Sequence, residues 1–456
     1  MITTAEFRLL STSGLLGYGF PESSLEAGIA REPHMIGVDG GSTDPGPFYL
    51  GSGKTVNSRR AMKRDLALML RAALGANIPL VIGSCGGSGS DPHLEGVAEI
   101  VREIAREDGS HFRMALIRAE QDKASLKRRL AAGKIKTLRV GPPPLDEATI
   151  DRAAHITAMM GPEPFMRALD EGAQVVLAGR SSDPASWAAC AMRAGLPPAP
   201  SWYGGKFLEC GATAAIPKGH DCLLTWVGED YVTVEPMNES RRCTPVSVAN
   251  HSLHENSSPT IFVEPGGILD TTDCRFEALS DRAVKISGMK WSQTPYTVKL
   301  EGAEFVGYRS ITICGTRDPM LVARLDTFLD EVRASVELKA KALDVKADDY
   351  KLVFHVYGHD GVMGPREFIR DVRGHEVGIL AEVVASTQEV SSAVLALARV
   401  TLLHTDFPGR LCREGNMAFP YSPADIVTEP CYRFSIFHIA QPADPYEMFP
   451  IAYEAV

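Results

Sequence analysis

The chain has 456 residues, 45% of them hydrophobic and 23% charged, an ordinary globular composition long enough for two or three domains. A formal charge of -10 argues against nucleic acid or an anionic membrane as the main partner, but a small anionic substrate needs only a local positive patch. Nine scattered cysteines, none in a C-x-x-C pair, speak against zinc, an iron–sulfur cluster or a disulfide scaffold, and no metal is expected.

Met1–Leu10 is too polar and too short for the apolar core of a secretion signal. No apolar run reaches the roughly 18 residues of a membrane span. A cytoplasmic protein with reduced thiols is the expectation.

In chain order, Phe7–Ser11 reads as a strand, followed by a glycine loop (Gly14, Gly17, Gly19) and a helix over Glu22–Ala30. Met35–Val38 is the next strand. Apolar residues at helical spacing (Met62, Leu66, Met69) predict a helix over Asn57–Leu74. Leu80–Ile82 reads as a strand, His93–Arg106 as a helix, Phe112–Ile117 as a strand. Ser125–Leu130, Glu147–Ala154 and Pro164–Asp170 read as helices. Val175–Ala178 is a strand feeding a helix at Ala185–Ala194.

Short apolar runs alternating with amphipathic helices predict a doubly wound, mostly parallel sheet, a Rossmann-like α/β domain over 1–200. The proline-rich stretch Leu196–Ser201 reads as a connection. Residues 201–304 form a β-rich connecting region with strands at Leu223–Val227 and Tyr231–Val234. Over 305–456 the order is strand Arg309–Cys314, helix Met320–Leu343, strands Lys351–Tyr357 and Val377–Ala385, helix Val390–Leu403, strand Tyr432–Ile439. That order predicts an α+β region built on a ferredoxin-like β-α-β-β-α-β unit.

Ligands of open parallel sheets bind beyond the carboxyl ends of the strands, so residues that directly follow a strand carry the most information. Three segments qualify. The first runs from Asp39 through Gly40, Gly41, Ser42 and Thr43 to Asp44, with glycines for close backbone approach, two hydroxyls and two carboxylates. It also looks like the phosphate loop of the actin-like ATPases, although Pro45 and Pro47 break the β-hairpin that should follow. Gly51–Thr55 ends like a P-loop but lacks its first glycine, where Phe48 stands.

The second segment, Gly83–His93, opens a helix. Ser88, Ser90 and Asp91 stand where free amides could hold an anion, and Cys85 stands where a helix dipole could favour a thiolate. The third is Gly179–Pro184. Arg180 could clamp a carboxylate or phosphate, and Asp183 could bind substrate or cap the next helix.

Downstream, Lys206–Ala212 places Glu209 and Cys210 in an apolar context, and His254–Asn256 and Glu264–Gly267 add polar groups near turns. His355 and His359 flank a strand end as a weak metal pair, and His404 with Arg410 reads as a surface loop.

This series of motifs resembles the acyclic terpene utilisation family of bacterial catabolic operons. The resemblance rests on Gly179-Arg180 with Asp183 after a strand, on Glu209-Cys210-Gly211-Ala212 downstream, and on the glycine-rich start at Gly14–Gly19. Asp39–Pro47 with Tyr49-Leu50-Gly51 is similar to a distinct branch associated with catabolism of small carboxylic acids, at times beside a small partner protein. The resemblance implies an enzyme acting on a branched or multiply carboxylated acid, free or as a coenzyme A thioester, with coenzyme A as part of the substrate.

The leading expectation is a lyase or hydratase of organic acid catabolism, a homo-oligomeric enzyme acting on a small anionic substrate. Asp39 or Glu209 would be the general base, Cys85 or Cys210 would assist, and Gly40–Thr43, Ser88–Asp91, Arg180 and Asp183 would bind the substrate. The alternatives are acyl transfer or hydrolysis through a cysteine nucleophile, a non-catalytic subunit that binds coenzyme A esters, and an actin-like ATPase.

Overall fold

The structure of the protein, a computed structural model, describes residues 6–138, 141, 143–256, 258–369 and 374–456; the first half of the segment Met1–Leu10 thus lies outside the described residues. The chain divides into two compact units, one of Met1–Glu304 with Phe434–Val456, the other of Phe305–Arg433.

The first unit is organised by a ten-stranded sheet. Its centre is five adjacent parallel strands in the order Phe7–Ser11, Met35–Asp39, Leu80–Gly83, Val175–Ala178, Arg113–Ile117. Successive residues of these strands point to opposite faces. Leu9, Met35, Val81 and Val176 enter one hydrophobic cluster, while Leu10, Ile36, Ile82 and Leu177 enter another. Both faces are therefore buried, which is why the strands read as continuous apolar runs. Helices Arg59–Ala76 and Asp91–Asp108 cover one face, and Glu163–Asp170, Ala185–Arg193 and Pro198–Leu208 cover the other.

The expectation of a mostly parallel sheet holds only for this centre. Leu223–Val227 pairs antiparallel with Phe7–Ser11 and continues into Tyr231–Pro236, Val284–Ser287 and Arg275–Ala278. At the other edge Ile451–Ala455 pairs antiparallel with Arg113–Ile117. The sheet is mixed, and four strands between residues 223 and 287 extend it.

Two further readings change. Leu196–Ser201 is no simple connection, because Pro198 starts the helix Pro198–Leu208, where proline at the first turn costs no hydrogen bond. Trp202, Tyr203 and Phe207 anchor that helix in the core. The predicted helix Glu147–Ala154 ends at Arg152, and Ala153–Ala158 is a strand paired with Leu300–Glu304.

In the second unit Tyr350–Tyr357 pairs with Val377–Ala385, which pairs with Tyr308–Thr316 of the long strand Val298–Thr316. Helices Leu325–Lys341 and Gln388–His404 supply Phe328, Val332, Val394 and Leu395 to its core. Among the described residues no helix is long and apolar enough to cross a membrane.

Candidate active site

Three neighbouring strands of the central sheet, Met35–Asp39, Leu80–Gly83 and Val175–Ala178, release their loops at the same edge. The loops interlock through backbone. Gly40 N donates to Gly83 O at 2.9 Å, Ser84 N to Gly179 O at 3.0 Å, and Arg180 N to Gly89 O at 3.2 Å. A methyl group on Gly89, whose φ is +66°, would lie 2.1 Å from Arg180 N. Gly89→Ala is therefore expected to lower stability by about 1–3 kcal/mol, the range for overpacking, as read from the denaturation midpoint.

A cleft of about 580 Å³ lies at this edge. The first loop contributes Ser42 and Asp44, the third Arg180, Ser182 and Asp183. Lys206 and Glu209 reach it from the end of the helix Pro198–Leu208, Glu264 from the strand Ile261–Glu264, and Lys299 from the long strand.

Arg180 is anchored, not free. Its Nε donates to Glu301 at 2.8 Å, and its Nη1 to Asp183 at 2.9 Å, Ser84 Oγ at 3.1 Å and the Ser181 carbonyl at 2.9 Å. Glu301 is fully buried and also receives Lys299 at 2.8 Å and the Thr43 hydroxyl at 3.0 Å. Burial alone would raise the Glu301 carboxyl, yet Arg180 and Lys299 beside it bring it down to about 2, so it stays ionised. Among the described residues these bonds use Nε and Nη1, and Arg180 also lines the cleft.

The other carboxyls shift the opposite way. Lys206 Nζ and Glu209 Oε1 are 2.5 Å apart and both side chains are buried. Burial pushes Glu209 well above the ordinary carboxylate range; Lys206 opposes this and Asp183 adds to it. The Ser182 hydroxyl donates to Glu264 at 2.5 Å, and burial lifts Glu264 to about 7. Asp39 is buried at its strand end, accepts from Gly41 N at 3.2 Å, and is raised by burial and then by Asp183.

The predicted residues therefore separate. Ser42, Arg180, Asp183 and Glu209 line the cleft, whereas Gly40, Gly41, Thr43 and Asp39 build the packing behind its first loop. Ser90 caps the helix Asp91–Asp108 together with His93. That helix start is taken by Glu120, which accepts from Asp91 N at 2.8 Å, while the Asp91 side chain pairs with Arg118 at 3.0 Å. Ser88 is buried, and its hydroxyl has no partner among the described residues.

Cys85 is fully buried in the core, where burial pushes its thiol up to about 12. The helix dipole invoked for a thiolate loses to desolvation there. Cys210 is likewise raised, by burial first and then by Glu209. After Asp39–Asp44 the chain forms the helix Pro47–Ser52, where an actin-like ATPase would need a β-hairpin. His355 meets Glu382 and His359 meets Asp326, so the two histidines take different carboxylates.

The residues that sequence reasoning missed are Glu301 and Lys299, which stand in a strand more than a hundred positions beyond Arg180. The signal for Lys206 was present: its spacing of three from Glu209 puts the two on one helical face once 198–208 is known to be helical.

No curated protein and no solved structure matches the chain. The model of the acyclic terpene utilisation family, described as acyclic terpene utilisation family protein AtuA, matches residues 59–215 and 226–410. These segments contain Arg180, Lys206, Glu264 and Lys299 and cover most of both units, so the chain belongs to the acyclic terpene utilisation family.

Proposed function

We propose that the protein is a catabolic lyase or hydratase acting on a small branched or multiply carboxylated acid, free or as a coenzyme A thioester. The observation that carries this reading is one cleft with two carboxyls in different surroundings. Glu209 stands against Lys206, which opposes the effect of burial, yet its carboxyl is still pushed up to about 8, so it serves as the base through its ionised fraction. Glu264 stands against a hydroxyl, with its pKa lifted to about 7 by burial, which suits an acid.

In the dehydrating direction Glu209 takes a proton from the carbon next to the substrate carbonyl. The electron pair forms the double bond as the C–O bond to the β-hydroxyl breaks, and the leaving oxygen takes its proton from Glu264 to depart as water. Arg180, Lys299 and Ser42 hold the substrate carboxylate. Coenzyme A enters only as part of the substrate. A cysteine nucleophile is disfavoured by the raised thiols of Cys85 and Cys210. The family's name, which refers to use of acyclic terpenes, agrees with a branched acid as substrate. In the second unit, the succession of strands and helices supports a ferredoxin-like reading.

The test is exchange of the substrate α-hydrogen in D2O, followed by proton NMR on a panel of organic acids and their thioesters. Exchange with at least one member is expected. Release of coenzyme A thiol without exchange would favour acyl transfer, and binding without either would favour the non-catalytic subunit. The pH profile adds a second check. Because Glu209 must be ionised while Glu264 is protonated, the rate should follow a bell with bends at about 7 and about 8 and its maximum between them. Glu264→Gln should cost roughly 10²–10⁴-fold in kcat and remove the fall on the alkaline side.

A further inference from the structure

The second unit has a cleft of its own, of about 710 Å³, and none of its lining residues belongs to the cleft described above. Arg317, Arg324 and His359 border it, together with the first turn of the helix Leu325–Lys341. That helix is 17 residues long, and no side chain caps its start. Arg324 occupies the capping position and has no acceptor to offer. The short helix just before it, Pro319–Val322, is by contrast capped by Asp318, which accepts from Met320 N and Leu321 N.

A second observation is independent of the helix. The His359 side chain is 6% exposed, with Nε2 3.0 Å from Asp326 Oδ1, and among the described residues its Nδ1 has no partner. Arg324 gives Nη2 to Glu331 at 2.9 Å, yet its buried Nε is also unpartnered among the described residues. Buried nitrogens of this kind normally have a hydrogen-bond partner, because leaving one unmade is costly. Here two of them gather beside an uncapped helix start in a chain whose formal charge is -10.

We infer that this cleft binds the phosphate group of a small molecule. The first-turn amides and the two arginines are donors that match a tetrahedral oxyanion, and the unpartnered ring nitrogen of His359 borders the same space. Asp326 holds the ring and Glu331 holds Arg324 Nη2, which leaves the Arg317 guanidinium, Arg324 Nε and the first-turn amides for the ligand.

The test requires no turnover, so it stands apart from the function proposed above. The full chain is titrated calorimetrically with inorganic phosphate, pyrophosphate and citrate. A saturable site is expected that prefers pyrophosphate to citrate and weakens about tenfold or more in Arg317→Gln/Arg324→Gln. If the double variant lowers the melting midpoint without ligand, Arg317→Gln alone, at an exposed position, serves in its place. Absence of saturable binding in the native protein, or unchanged affinity in these variants, would overturn the inference. So would preference for citrate, which marks a carboxylate site, or loss of phosphate binding in Lys206→Met, which places the ion in the first unit's cleft.

Discussion

Replacing Glu209 by glutamine is expected to lower turnover by roughly 10²–10⁴-fold, the range for a positioned general base, while the protein stays folded. Glutamine keeps the volume and can still accept from Lys206, now 2.5 Å from the carboxylate, so the helix end has no reason to move. What disappears is the site for the substrate proton. A stopped-flow or NMR assay on the substrate found by exchange, with circular dichroism as the control for folding, reads both quantities. Turnover in Glu209→Gln within a few-fold of native would remove Glu209 from the chemistry and turn attention to Asp39, another raised carboxyl at this edge.

Arg180→Ala should act on stability first. Arg180 and Glu301 are both buried, and removing the guanidinium leaves the Glu301 carboxylate with Lys299 and Thr43 only. Breaking a buried pair from one side costs about 3–5 kcal/mol, mainly because a charge remains in low dielectric. Chemical denaturation followed by fluorescence measures it. Arg180→Met combined with Glu301→Gln should regain most of the loss, since no unpaired charge is then buried; Asp183, part-exposed, can turn to water. Arg180→Lys keeps the charge but cannot reach Glu301, Asp183 and Ser84 together, so it should fall between native and alanine. A native-like midpoint for the alanine variant would show that the network does not hold the site.

Much of the central sheet was legible in the sequence, because buried strands must be apolar on both faces. Val175–Ala178 and Val377–Ala385 have the bounds that their apolar runs suggest. The loops after three strands were legible for the same reason: a strand end announces where polar residues are unexpected. What stayed hidden depends on distant partners. Nothing near Glu301 says that it will meet Arg180, and the helix Pro198–Leu208 was masked by its own prolines, which start it. Ala153 and Ala154 were taken for the end of the helix that Glu147–Arg152 forms, and the strand character of Ala153–Ala158 comes from pairing with Leu300–Glu304. The thiol of Cys85 shows the limit most plainly: position in sequence suggested activation, and burial decides against it.

The first unit is discontinuous in the chain, leaving at Glu304 and resuming at Phe434. During synthesis the ribosome delivers every residue of the cleft before it delivers Ile451–Ala455, the strand that covers Arg113–Ile117 and becomes the new edge of the sheet. Until then Arg113–Ile117 presents unpaired amides and carbonyls to any other strand in reach. The nascent chain therefore passes through a stage with its cleft residues made and Arg113–Ile117 uncovered, when a chaperone, or a neighbouring copy, can reach a strand that the finished protein pairs with its own Ile451–Ala455.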